Sequence, residues 1–185
     1  MLLFLFLSLF CMPIAEFVPK WNIAVSPTLT EQGKDRYGKE TVESLDLQGI
    51  VKLNGTTVSK FLKVSGALIA RNAFLEEVEG AGDLQFFDTK ISQELRATGS
   101  LKACSTSFEK PILFSGQKGA FSNCKLKGIA IEREFGFKAA QVIELKEKTE
   151  VDGPIHFKGG GGKVHLYPGS RILGTVTGGE IVYKK

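Results

Sequence analysis

Between Val142 and Ile181 the pattern of apolar and polar positions is written twice. Moving Val142–Phe157 forward by 21 residues sets Ile143 on Val164, Leu145 on Leu166, Val151 on Ile172 and Ile155 on Val176. Thr149 then falls on Ser170 and Gly153 on Gly174. Within each copy apolar residues alternate with polar ones, and successive strand side chains point to opposite faces. A repeat of about 20 residues built from such short runs predicts stacked β-coils. Val151, Ile155 and Phe157 then point inward, while Asp152, His156 and Lys158 face water. The repeated glycine marks a corner, where a residue without Cβ lets the chain turn.

The same style extends upstream. Leu45, Leu47, Val51 and Leu53 alternate around Gly49. Asn54-Gly55 suits a type I′ hairpin turn and would favour an antiparallel sandwich. Against that, a phrase of glycine, short residue and large apolar residue recurs at Gly66-Ala-Leu68, Gly82-Asp-Leu84, Gly99-Ser-Leu101 and Gly119-Ala-Phe121. Phe74, Ile91, Phe108 and Leu126 follow as further inward positions. The expected fold is therefore all-β: a single-stranded parallel β-helix of about six or seven coils over residues 45–185. Glu132–Gln141 breaks the rhythm and reads as a loop, with Phe135-Gly136-Phe137 as a tip or a folded-back lid.

Two segments precede the coils. Residues 1–15 carry an apolar run, Leu2–Ile14, of signal-peptide length and too short for a membrane span of about 20 residues. Cleavage is expected near Ala15, which makes the mature chain periplasmic or secreted and leaves no membrane span; without cleavage it is cytoplasmic. Residues 16–44 read as a lead-in that caps the open end of the stack, with Trp21 as plug.

Composition adds little. Glycine supplies 21 of 185 residues, which suits many corners, and the net charge is +4. Basic residues are dispersed without a stripe, so no nucleic-acid partner is expected. Gly159–Gly162 resembles a phosphate cradle but lacks a following Lys-Ser/Thr, so it reads as a corner, and no cofactor is expected.

Candidate chemistry is sparse. His156 and His165 are the only histidines, and the 21-residue shift places His165 beside Glu144. These three are the only metal-ligand candidates; their spacing fits no zinc pattern, and ordinary water-facing polar residues are the favoured account of them. Asp83 and Asp88 form the nearest thing to a local acidic patch, with Asp152 elsewhere, and no catalytic residue is assigned. The six-residue period of hexapeptide acyltransferases is absent. Cys104 and Cys124 each follow the glycine phrase by one interval, which predicts stacking on adjacent coils. Strands about 4.8 Å apart suit a disulfide there, and two reduced core cysteines are the alternative.

Val151-Asp-Gly153-Pro-Ile155 and Ile172-Leu-Gly174-Thr-Val176-Thr-Gly178-Gly179-Glu-Ile181 resemble the repeats of bactofilins, bacterial polymer-forming cytoskeletal proteins. The resemblance implies a right-handed β-helix without nucleotide or catalysis, and end-to-end association into filaments. The expected function is a non-catalytic structural or interaction solenoid of a bacterial envelope, binding itself or an envelope protein or glycan. A carbohydrate-binding or carbohydrate-active β-helix is the alternative, and a secreted adhesin or effector a third.

Overall fold

The computed structural model describes residues 35–133 and 139–185. The apolar run 1–15, the lead-in as far as residue 34, and the Phe135-Gly136-Phe137 tip lie outside the described residues. What is described is all-β, a parallel solenoid without a helix.

Its backbone is easiest to follow along the side chains that point inward. Leu45, Leu62, Val78, Leu95, Ile112, Ile129, Ile155 and Val176 pair in register, one per coil. That row has eight members, against the six or seven coils expected, and a first short strand, Arg36–Tyr37, pairs with Lys52 and Leu53. The stack thus takes in Tyr37 and Val42, upstream of the expected start at Leu45. Strands Thr41–Asn54, Thr57–Arg71 and Phe74–Phe87 run almost unbroken around most of a coil. Asn54-Gly55 makes a corner between parallel strands, not a hairpin.

A second inward row alternates size: Leu53, Ala70, Phe86, Ala103 and Phe121 follow one another up the stack. Each alanine leaves room for the phenylalanine above it, so large and small side chains alternate up the narrow interior. Phe108, from a neighbouring corner, meets Phe86 and Phe121 edge-on at 6.5 and 6.0 Å between centroids. All of these side chains are buried, and each removes roughly 1.5–3 kcal/mol worth of apolar surface from water if large.

Two corners set the register. At the first, Gly49, Gly66, Gly82 and Gly99 stack with φ between 97° and 134°, a region closed to L-residues. At the second, a residue in left-handed conformation (Gly55, Asn72, Asp88, Ser105, Asn123) precedes a buried small one (Thr56, Ala73, Thr89, Thr106, Cys124). Backbone bonds from Phe74, Lys90, Ser107 and Lys125 tie that second row together. Its hydroxyls donate to nearby carbonyls, Thr89 to Phe87 at 2.8 Å and Thr106 to Cys104 at 2.9 Å. These two buried hydroxyls are thereby satisfied.

Those corners correct three expectations. Phe74 is exposed, and Leu75 takes the inward place opposite Val58. Gly119 is opposite Leu101, not Gly99; the glycine that stacks on Gly99 is Gly116, whose added Cβ would lie 2.0 Å from the Gly99 carbonyl oxygen. Cys104 and Cys124 therefore do not stack. Cys104 pairs with Ser122, Cys124 occupies the row of Thr106, and both thiols are free. By contrast the 21-residue repeat holds: Ile143 pairs with Val164, Val151 with Ile172 and Ile155 with Val176.

Candidate functional site

The outward rows decide what the solenoid offers to a partner. Ser65, Ala81, Thr98 and Ser115 lie over one another on successive coils, a floor of short side chains. Beside them runs the row Lys63, Glu79 and Arg96. With Glu77 and Glu132 these residues line a cleft of about 480 Å³ that crosses several coils beside the bend of the glycine corner. Four of the charged groups lining it are held in ion pairs: Lys63 lies 3.8 Å from Glu79, Arg96 2.8 Å from Glu94, and Glu132 2.6 Å from Lys158. The Lys158 contact also holds the Glu132 carboxyl below its ordinary range. Such a cleft can lodge an extended polymer against short polar side chains.

The residues singled out from sequence do not converge. Glu144 and His165 are register neighbours, as the repeat predicts, but His156 belongs to another row and meets Thr177. Glu144 is nearly buried and receives Lys118 at 2.8 Å and Lys146 at 2.7 Å. Burial pushes its carboxyl up, yet the two lysines outweigh that and hold it below the ordinary value. Burial, with Lys184 next, lowers His165, against the pull of Glu144. Among the described residues no three His, Cys, Asp or Glu groups gather as a metal site. Asp83 accepts from Gln85 within its strand, Asp88 forms a corner, and Asp152 pairs with Lys127 at 2.6 Å. Burial pushes the Cys124 thiol up to about 11. The Gly159–Gly162 corner is a turn packed over Phe157: a Cβ on Gly162 would lie 2.0 Å from that ring.

The second feature is the C-terminal end, which no pattern in the sequence announces. Strands Arg171–Ile172, Val176–Thr177 and Gly179–Tyr183 pair on one side only, and among the described residues no strand pairs with their outer edge. Their inward side chains are accordingly uncovered. Ile181 is 38% and Tyr183 76% exposed, although both continue buried rows, and Leu173 at the corner is 62% exposed. Leu45 and Leu47, on the first complete coil, are only 1% and 2% exposed. The last coil is thus exposed along its outer edge, where the first complete coil is buried. Beside the open edge, Gly160–Gly162, Gly178, Gly179 and Glu180 line a cleft of about 340 Å³ free of other side chains.

The chain matches no family model, no curated protein and no solved structure, so the likeness to bactofilins rests on the repeats alone.

Proposed function

We propose that this chain is a non-catalytic structural and interaction solenoid of a bacterial envelope that works by association through its open C-terminal coil. The observation that carries the reading is the exposure of Ile181 and Tyr183 on the strand Gly179–Tyr183, whose outer edge has no strand partner among the described residues. A strand edge with unpaired N–H and C=O groups, over an apolar interior, is a template for another chain. Natural sheets blunt such edges when no partner is intended, and here Ile181 and Tyr183 stand exposed on that edge. The signal-like run Leu2–Ile14 supports an envelope setting for this reading. Light scattering on the purified chain across a concentration series tests the association. Wild type should form larger species, and Ile181→Lys with Tyr183→Lys should abolish them; a wild type that stays monomeric throughout refutes the reading.

A second reading is favoured by the cleft over Ser65, Ala81, Thr98 and Ser115, which suits a glycan or peptide strand laid across the coils. Binding screens against cell-wall and acidic polysaccharides separate the two. Measurable turnover of any of them would replace the non-catalytic reading with a carbohydrate-active one.

A further inference from the structure

We infer that the outward face beyond the glycine corner binds a linear acidic polysaccharide laid along the stack. Strands Leu95–Cys104, Ile112–Ser122, Val142–Lys146 and Gly162–Leu166 supply that face. It is separate from the cleft over Ser65 and Thr98, and it stands whether or not the C-terminal coil associates. Lysines far apart in sequence are gathered there by the register. Lys102 lies opposite Ala120, Ala120 opposite Glu144, and Glu144 opposite His165, one central row over four coils. Lys118 and Lys163 flank that row on one side and Lys146 on the other. Each of the four coils thus brings one lysine, and Glu144 is the single carboxylate among them. The face carrying Lys90, Lys127 and Arg171 is balanced by contrast, each cation meeting its own carboxylate on Glu109, Asp152 or Glu150.

Glu144 arranges these cations rather than cancelling them. It is buried, and Lys118 at 2.8 Å and Lys146 at 2.7 Å converge on it from opposite sides. An ammonium has three donors, so each lysine keeps others for a ligand. Two cations are thereby fixed over the central row before any anion arrives, which lowers the ordering cost of binding. Ala120, one coil nearer Lys102, is short and leaves room for an anionic group between that pair and Lys102. Lys102 is exposed and has no ion pair among the described residues. His165 continues the row in the same field: burial first, then Lys184, Lys163 and Lys118, hold its imidazole down against Glu144. Coils follow one another at about 4.8 Å, comparable with one sugar of an extended chain, so successive acidic sugars meet successive lysines. Single-stranded nucleic acid would want aromatic platforms for its bases, and a membrane face would set large apolar side chains among the lysines. Here Ser100, Ala120 and Ser122 stand between them.

The test titrates the full chain with polygalacturonate, and separately with neutral dextran, oligothymidylate and phosphatidylglycerol vesicles. Polygalacturonate should bind, more weakly as salt rises, and dextran should not. Lys102→Gln and Lys118→Gln should each weaken binding about two- to fivefold. Lys125→Gln, which removes an exposed cation from another face, should leave it unchanged. Followed by NMR, the bound polymer should raise the titration midpoint of His165. That of His156, on the row of Ala130 and Thr177, should stay in place. No binding of polygalacturonate, or an equal loss with Lys125→Gln, overturns the site. Tighter binding of oligothymidylate or of the vesicles overturns the choice of ligand. Loss with Lys63→Gln while His165 stays unmoved overturns the site in favour of the cleft.

Discussion

Three glycines at one corner separate two costs that usually arrive together. At Gly49, φ is +97° and an added Cβ meets nothing within 4 Å, so alanine there suffers only the backbone strain. At Gly116 no positive φ is required, but the Cβ would sit 2.0 Å from the Gly99 oxygen and 2.8 Å from the Phe114 ring. At Gly82 both apply: φ is +129° and the Cβ would lie 1.9 Å from the Gly66 oxygen. A residue forced into such a region costs about 1–3 kcal/mol. Relieving a contact that short means parting two coils locally and losing roughly two ladder hydrogen bonds, each worth about 0.5–1.5 kcal/mol net. Gly49→Ala should therefore cost about 1–3 kcal/mol, Gly116→Ala a similar amount by a different route, and Gly82→Ala about 3–5 kcal/mol. Urea unfolding followed by far-ultraviolet circular dichroism measures all three. If Gly82→Ala were no worse than Gly49→Ala, the close stacking of the glycine row would be wrong, because that contact is the main difference between the two sites.

Because Cys104 and Cys124 occupy different rows, adding a reductant should leave the melting temperature unchanged. Peptide mapping after alkylation near pH 8 should find Cys104 modified ahead of Cys124, whose thiol is buried and raised to about 11. Cys124→Thr should be tolerated, since threonine already fills that row at Thr56, Thr89, Thr106 and Thr149. Glu144→Gln should cost about 1–2 kcal/mol near neutrality by stripping Lys118 and Lys146 of their shared carboxylate. The folded carboxyl is depressed below its ordinary 4.5, so its stabilisation is present above that value and fades as pH falls through the folded pKa. The difference between variant and wild type should shrink over the same range. His165 acts in the same direction at higher pH: lowered when folded, it disfavours the folded state as pH falls through its ordinary 6.5.

The stacked coils are legible in the sequence wherever apolar residues carry the register. Ile143, Leu145, Val151 and Ile155 recur one coil later as Val164, Leu166, Ile172 and Val176, and the chain folds in that register. The second corner is not visible that way, because its row is polar or small: Thr56, Ala73, Thr89, Thr106 and Cys124 share a size, not a hydropathy. A left-handed Gly, Asn, Asp or Ser immediately before each is the signal that could have found it. Missing it misplaced the cysteines. Gln117 and Lys118 insert between Gly116 and Gly119, and the later glycine mimics the phrase of Gly99 although only the earlier one stacks there. The cleft floor was hidden for a related reason, since Ser65, Ala81, Thr98 and Ser115 become a row only after the register is known. The open end is a matter of burial. Nothing in the order of Ile181 and Tyr183 distinguishes them from the buried Val164 and Leu145 of earlier coils.

Hydrogen exchange at low and high protein concentration bears most directly on the claim that this open coil is where the chain associates. Amides in Thr57–Phe87 lie between paired coils and should exchange at one rate throughout. Those in Gly179–Tyr183 should be weakly protected in dilute solution and become protected as concentration rises, because the edge gains a second row of hydrogen bonds. Protection in Gly179–Tyr183 that is independent of concentration, while some other face of the solenoid gains protection, would contradict it.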